Sequence, residues 1–179
     1  MPESTLLPEL IGMARARSPQ APALRCGDHS LNYGELDDTV RAFAAGLLGL
    51  GLQRGERVGI WLEKRIETVA ASFGAPAAGG VMVPMNPLLK PEQVLYIAQD
   101  CNVRLLLTSP ERLALLAPLL GECPDLRHVV LTEPAQQRAA LPPGVALHDW
   151  AALRDAPARN AERAGHRVID TDLCAILYT

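Results

Sequence analysis

The chain has 179 residues, of which 49% are hydrophobic, 21% are charged and 4% are aromatic. This composition is typical of a globular protein and excludes a disordered, collagenous or coiled-coil chain. Lysine and arginine number 17 against 20 acidic residues, for a formal net charge of -3. Without a basic excess to attract a phosphate backbone, nucleic acid is disfavoured as the main partner.

Neither a membrane span nor a signal peptide is predicted. The longest apolar run, residues 73–85, is shorter than the ~18–20 residues that cross a bilayer and contains glycine and proline. Residues 1–20 have acids early and no apolar segment before a cleavage site. The cysteines are widely spaced, without CxxC, which predicts single core residues of a reduced, cytoplasmic protein and no metal site. They are Cys26, Cys101, Cys123 and Cys174.

The first elements are predicted by turn and capping signals. Residues 6–11 are an amphipathic start, and two short runs around Gly27-Asp28 predict a β-hairpin. A long helix follows, because apolar residues recur at helical spacing and Asn32 with Glu35 has the pattern of a capping box. Its predicted buried face consists of Leu36, Val40, Phe43, Ala44, Leu47 and Leu48.

Strands and helices then alternate along the chain. The alternation predicts an α/β fold, with a mostly parallel sheet and helices on its faces. The last strand is apolar throughout, so it is expected to be buried on both faces. The predicted strands are 57–62, 81–84, 104–108, 128–131 and 175–178. The predicted helices are 66–77 (with a kink at Pro76), 91–101, 110–120 and a short one after Asp149, and 133–146 and 155–170 are predicted surface excursions.

Motifs for phosphate binding or nucleophilic catalysis do not emerge from the residues alone. Residues 49–55 have the outline GxGxxxG, but they follow a helix and precede a strand, which predicts a helix C-terminus and a turn. A dinucleotide loop would need the opposite order. GxxxxGK[ST] and GxSxG are absent, and neither Lys64 nor Lys90 has glycines placed to hold a phosphate.

The remaining polar residues are interpreted as structural or solvated. Each histidine lacks an acid or nucleophile at motif spacing, which predicts a surface or structural role. The charged residues at the start of the second long helix predict a solvated face that complements the helix dipole. The histidines are His29, His128, His148 and His166, and the charged residues are Glu63, Lys64, Arg65 and Glu67.

Three segments in a fixed order carry a family resemblance. They are NYGEL at 32–36, GERVGI at 55–60 and AGGVMVPMNP at 78–87. Together they resemble the N-terminal portion of adenylate-forming enzymes, which include acyl-CoA synthetases, 4-coumarate–CoA ligases, luciferases and peptide-synthetase adenylation domains. The resemblance runs from the first helix to Thr179, nearly the whole chain.

The resemblance also implies where a nucleotide would bind. Tyr178 and Thr179 match the first two positions of the family's phosphate loop, YTSGSTGxPKG, so Thr179 is expected to begin the ATP phosphate loop. The rest of that loop, the later acidic motifs and the C-terminal catalytic lysine are not in the sequence. Residues 1–179 are therefore expected to be a partial N-terminal domain that is inactive alone, with no catalytic or metal residue of its own and no bound cofactor.

For the parent protein, the resemblance implies an AMP-forming acyl-CoA ligase that uses ATP, Mg²⁺ and CoA. Its expected partners are a carboxylic acid, the remainder of the ligase chain and a second copy through self-association. Asn86 in VPMNP is more similar to acyl-CoA ligases than to peptide-synthetase domains, which more often have aspartate there. Three alternatives stay open: a peptide-synthetase-type adenylation domain, a free-standing α/β interaction or regulatory module, and, less favoured because no phosphate loop follows a strand, a small flavodoxin-like binding protein.

Overall fold

A computed structural model describes residues 6–135, 140–155 and 166–178. Within these ranges, no helix is both long enough and apolar enough to cross a membrane. The elements in chain order are α1 (Glu9–Arg17), β1 (Pro22–Cys26), β2 (His29–Asn32), α2 (Tyr33–Gly49), β3 (Arg57–Trp61), α3 (Ile66–Ala77), β4 (Val81–Pro84), α4 (Pro91–Asp100), β5 (Val103–Thr108), α5 (Pro110–Leu116), a 3₁₀ segment (Ala117–Glu122), β6 (His128–Leu131), β7 (Ala146–Asp149) and α6 (Trp150–Asp155).

The centre of the fold is a five-stranded parallel sheet with the order β4-β3-β5-β6-β7. Helices cover both faces: α2, α3 and α6 contribute to one buried apolar cluster, and α4 and α5 contribute to the other. The predicted hairpin forms a separate antiparallel pair, β1-β2, whose turn contains Gly27 at φ +58°. The α/β fold with a mainly parallel sheet and an N-terminal hairpin is therefore confirmed.

Helix α2 forms as its sequence pattern predicts. The Asn32 side chain accepts a hydrogen bond from the Glu35 N–H at 2.9 Å, and the Glu35 carboxylate accepts one from the Asn32 N–H at 2.9 Å. Five of the six predicted face residues are buried, and Leu48 is half-buried. Phe43 is stacked on Trp150 of α6, with ring centroids 4.7 Å apart. This capping box and apolar face fix α2 against the sheet and α6.

The glycines that resemble a nucleotide loop end helices instead. After α2, Gly51 has φ +86°, and the Leu52 N–H donates to the Leu47 carbonyl at 3.1 Å. After α3, Gly79 has φ +80° in an equivalent arrangement. Such left-handed caps favour glycine because it lacks Cβ. The prediction of a helix C-terminus at residues 49–55 is confirmed, and Pro76 lies in the last turn of α3.

Strand β7 was not predicted from the sequence. It lies at the edge of the sheet and pairs in parallel with β6, from His128 opposite Ala146 to Leu131 opposite Asp149. Its first residue falls in the excursion predicted for 133–146. These four residues include no β-branched side chain, so their local preference for a strand is weak. The strand forms because it pairs with β6. The short helix predicted after Asp149 is confirmed as α6.

The prediction for the last strand, residues 175–178, is wrong in its burial. The segment runs parallel to β4 through a single bridge between Met82 and Ala175, with Met82 N–H donating to the Cys174 carbonyl at 3.0 Å. Leu177 is 69% exposed. The segment lies outside the edge strand β4, and no described helix covers Leu177, so an apolar composition did not produce burial on both faces.

The predicted surface excursions and core cysteines have different outcomes. Residues 136–139 and 156–165 of the two predicted excursions lie outside the described residues.

All four cysteines are free thiols. Cys101 and Cys123 are buried as predicted, and burial raises the pKa of the Cys123 thiol to about 11. The prediction of a core residue is wrong for Cys174, which is exposed because its segment lies at the sheet edge.

Candidate functional site

The carboxyl ends of the parallel strands meet at one edge of the sheet. In open α/β sheets, ligands bind in the crevice beyond this edge. The loops that begin there follow β3, β4, β5 and β6. These loops contain Glu63, Asn86, Ser109 and Thr132. This edge is the candidate functional site.

Arg112 of α5 connects two of these loops to its own helix. Its Nη2 lies 2.7 Å from Glu63 Oε1, and its Nη1 donates to the Pro87 carbonyl at 2.8 Å. Its guanidinium carbon lies 4.9 Å from the ring centroid of Trp61, within cation–π range. The hydrogen bond from Arg112 holds the pKa of Glu63 below its usual range. Arg112 thereby joins the ends of β3 and β4 to α5.

Polar residues at the end of β5 position α5 and therefore Arg112. Ser109 is buried, and its hydroxyl accepts a hydrogen bond from the Arg112 N–H at 3.4 Å at the start of the helix. Thr108 is also buried, and its hydroxyl donates to the Trp61 carbonyl at 3.1 Å. These bonds fasten β5 to β3 at the edge where the loops diverge.

The prediction of a solvated face at the start of α3 is wrong for two of its four residues, Arg65 and Glu67, which are half-buried. Arg65 lies 2.8 Å from Glu67 and 2.7 Å from Glu133, which belongs to the segment after β6. Burial lowers the pKa of Arg65, but its hydrogen bonds to Glu67 and Glu133 outweigh burial and raise it. Glu63 and Lys64 are exposed as predicted. Glu63 and Arg65 bind side chains from distant segments, which no local pattern reveals.

In the VPMNP segment, Asn86 shapes its own loop. Its side-chain oxygen accepts a hydrogen bond from the Leu88 N–H at 2.9 Å. This short-range bond is the Asx-turn pattern, which aspartate forms equally well. The local geometry of Asn86 therefore suits both branches of the family to which the segment is similar.

The segment that leads toward Thr179 is held at several points. His166 Nε2 is 2.8 Å from the Leu52 carbonyl oxygen, and Arg54 pairs with Asp172 at 2.5 Å. Tyr178 is the last described residue, and its hydroxyl donates to Asp100 at the end of α4. This hydrogen bond makes the largest contribution to raising the pKa of Tyr178 above its usual range. Thr179 itself lies outside the described residues, so its expected place in a phosphate loop stays a prediction.

The four histidines occupy different environments. His29 is exposed on the hairpin, and His166 binds a carbonyl in the segment just described. His128 and His148 are close together, with Nδ1 of the first 3.1 Å from Nε2 of the second. Sequence reasoning missed this pair because it joins β6 to the unpredicted strand β7. Within the described residues, no group of three or more His, Cys, Asp or Glu could hold a metal ion.

Comparisons with known proteins assign the family. Residues 13–179 match the family model for the AMP-binding enzyme. The chain is 35% identical over 145 residues to 3-hydroxybenzoate–CoA ligase of Aromatoleum sp. (strain CIB), covering 80% of this chain and 27% of that ligase. It is 35% identical over 107 residues to tyrocidine synthase 3 of Brevibacillus parabrevis, covering 60% of this chain and 2% of that protein. The chain thus spans a small part of each relative.

Solved structures share the fold. The anthranilate CoA ligase AuaEII in complex with anthranoyl-AMP matches with a TM-score of 0.82 at 24% identity, over 98% of this chain and 32% of that one. VinN in complex with 3-methylaspartate matches with a TM-score of 0.72 at 26% identity, over 97% of this chain and 44% of that one. With the family match over nearly the whole sequence, these findings show that the chain belongs to the AMP-binding enzyme family of adenylate-forming ligases.

Proposed function

We propose that these residues are the first α/β part of the large domain of an AMP-forming acid–thiol ligase, with CoA as the acceptor. Such a ligase first joins a carboxylic acid to ATP, giving an acyl-adenylate and pyrophosphate. A thiol then displaces AMP and forms a thioester. The observation that carries this proposal is the family match over residues 13–179.

In the proposed ligase, this part of the chain acts as a scaffold. The parallel segment 174–176 next to β4 leads toward the edge where Arg112 joins the strand-end loops. A loop that begins at Thr179 would lie near that edge and bind the ATP phosphates. We assign no step to Mg²⁺ here, since the described residues include no acidic cluster able to hold it. A cytoplasmic location is part of the same proposal.

The thiol acceptor separates the two branches of the family. CoA is favoured by the similarity to 3-hydroxybenzoate–CoA ligase, which extends over 80% of this chain. The second candidate is a peptide-synthetase-type adenylation domain that loads a carrier-protein thiol, favoured by the similarity to tyrocidine synthase 3. Reading the encoding DNA beyond Thr179 tests the parent assignment: SGSTGxPKG in frame supports the ligase, and a stop codon supports a free-standing α/β module.

The acceptor is tested on the protein that the longer reading frame encodes. With a panel of aryl and alkyl carboxylates, ATP and Mg²⁺, we expect thioester to form with free CoA. Thioester only on a carrier-protein domain would support the peptide-synthetase type instead. Pyrophosphate release that depends on no added carboxylate or amino acid would contradict both.

Residues 1–179 alone should catalyse no adenylation. The reason is that the sequence lacks most of the phosphate loop and the catalytic lysine, which would stabilise the charge that develops during transfer. The measurement is carboxylate-dependent ATP–pyrophosphate exchange with purified protein, compared with a protein-free blank. A 3-hydroxybenzoate–CoA ligase serves as the positive control, and exchange by residues 1–179 above the blank would contradict the prediction.

The same residues should associate with themselves or bind a hydrophobic dye. A groove of about 570 Å³ lies between the end of β4, α4 and Tyr178. Beside it, Tyr96 is 61% exposed, and Leu177 of the terminal segment is 69% exposed. In the proposed ligase, later parts of the chain would cover this surface. In the described residues alone it is uncovered, and large exposed apolar patches favour association. Sedimentation and dye fluorescence measure the effect.

A matched pair of variants locates the surface. Leu177→Glu should weaken association and dye binding, because it places a charge at the centre of the exposed apolar segment. Leu10→Glu is the control, since Leu10 is 48% exposed on α1, away from α4. A monomer at high concentration without dye binding, or an equal response to both variants, would contradict the prediction.

A further inference from the structure

His128 and His148 form a close pair on two adjacent strands. In the parallel pairing of β6 with β7, Val130 lies opposite His148 and His128 opposite Ala146. Both histidines therefore point to the same face of the sheet, one diagonal apart. Their facing nitrogens are 3.1 Å apart, and the ring planes are tilted by 50°. Both side chains are half-buried, so solvent reaches the pair.

The distance between the two nitrogens suits a shared metal ion. Imidazole nitrogens bind Zn²⁺ at about 2.0–2.1 Å. Two such ligands on one ion in tetrahedral or octahedral geometry lie about 2.8–3.4 Å apart, which follows from those bond lengths. The 3.1 Å separation of His128 Nδ1 and His148 Nε2 falls inside this range. Each ring has only to turn its lone pair toward a common point.

Burial and neighbouring charges act on both rings. Burial lowers the pKa of His148, and burial followed by the charge of His148 lowers the pKa of His128. Neutral imidazole is the form that binds metal ions. The positive charge of Arg104, which would repel a metal ion, is partly compensated because Arg104 pairs with Glu56 at 3.3 Å.

Two further charges border the pair. Arg127 lowers the pKa of His128, and its guanidinium donates to the Pro124 and Leu126 carbonyls at 2.6 and 2.7 Å. The charge of Asp149, next to His148, acts to raise the pKa of His148. Arg127 would repel a bound cation, and the carboxylate of Asp149 would attract it.

We propose that His128 and His148 form a two-nitrogen binding site for a divalent late transition-metal ion such as Zn²⁺, with water in the remaining positions. Imidazole suits zinc, copper and nickel. Without metal, one ring donates its N–H to the other. When the metal binds, that proton moves through solvent to the other nitrogen of its own ring, so binding releases no net proton.

The ion would join the edge strand β7 to the rest of the sheet. β7 leads directly into α6, whose Trp150 is stacked on Phe43. A ligand that binds only the folded state stabilises it by mass action. The site therefore links metal binding to the attachment of β7 and α6, independently of adenylate formation.

The test uses Zn²⁺ with purified, tag-free protein. Titration calorimetry should give one Zn²⁺ per chain, and ¹⁵N NMR of the ring nitrogens should show shifts at His128 Nδ1 and His148 Nε2. His128→Ala and His148→Ala should each weaken binding at least about tenfold, since loss of an outer-shell partner alone costs about 10–100-fold. Zn²⁺ should also raise the melting temperature of the unaltered protein and of neither variant.

His29→Ala is the matched control, because it removes an exposed histidine on the hairpin. It should leave both the affinity and the Zn²⁺-dependent rise in melting temperature unchanged. Circular dichroism without metal checks that each variant is folded, and the ¹⁵N measurement on the unaltered protein does not depend on any variant. The proposal would be overturned if the His128→Ala/His148→Ala double variant bound Zn²⁺ with the affinity of the unaltered protein. It would also be overturned if the ¹⁵N shifts were confined to other histidines.

Discussion

Phe43→Ala should lower the free energy of unfolding by about 3–5 kcal/mol, as truncation of a buried aromatic usually does. Phe43 is 1% exposed and is stacked on Trp150 at 4.7 Å. Its ring also approaches Gly74 of α3, so α2, α3 and α6 meet at this side chain. The substitution removes the contacts that join the three helices and leaves a cavity. Urea denaturation followed by circular dichroism measures the loss.

Tyr96→Ala is the control for this measurement. Tyr96 is also an aromatic residue on a helix, but it is 61% exposed. Its truncation should change the free energy of unfolding by less than about 1 kcal/mol, as surface substitutions usually do. A loss below about 1 kcal/mol for Phe43→Ala as well would mean that this face of α2 is not the packed core described above.

Gly74→Ala should destabilise the protein by about 1–3 kcal/mol, the usual cost of overpacking a core. An added Cβ would lie 2.8 Å from Phe43 Cδ1 and 3.2 Å from the Val40 carbonyl oxygen. The carbonyl belongs to the backbone of α2, so it cannot turn aside as a flexible side chain can. Alanine favours a helix over glycine by up to about 1 kcal/mol, so a net loss would show that the close approach of α2 and α3 outweighs propensity.

Gly12→Ala supplies the comparison for Gly74→Ala. Gly12 lies within α1, and an added Cβ there would meet only ordinary contacts at 3.7 and 3.8 Å. This substitution should be neutral or stabilising by up to about 1 kcal/mol. The double variant Phe43→Ala/Gly74→Ala should cost less than the sum of the two single changes, because the shorter side chain makes room for the new methyl group. Additive costs would contradict the assigned contact.

Much of the fold was predictable because its signals are local. The capping box of Asn32 and Glu35, the apolar face of α2 and the glycines after α2 and α3 each depend on neighbouring residues. Alternation of these helices with short apolar strands was enough to predict the α/β class. The ordered segments at 32–36, 55–60 and 78–87 were enough to identify the family, which the match over residues 13–179 confirms.

The candidate site was predictable only in outline. Parallel strands place their carboxyl ends at one edge, so the location of a site follows from the fold class. The side chains that organise this edge did not follow. Glu63 and Arg112 are 49 positions apart in the chain, and Arg65 meets Glu133 from beyond β6. Charged residues at a helix start have the same sequence pattern whether they are solvated or paired.

The sequence by itself determined the helices, the central strands, the hairpin and the family, because periodicity, caps and turn residues act over a few positions. Only the tertiary structure decided that residues 146–149 form an edge strand, that Leu177 is exposed and that His128 meets His148. Each of these depends on which distant segment lies alongside. Strand pairing and burial at a sheet edge are set by partners far away in the chain, and one-dimensional patterns do not specify them.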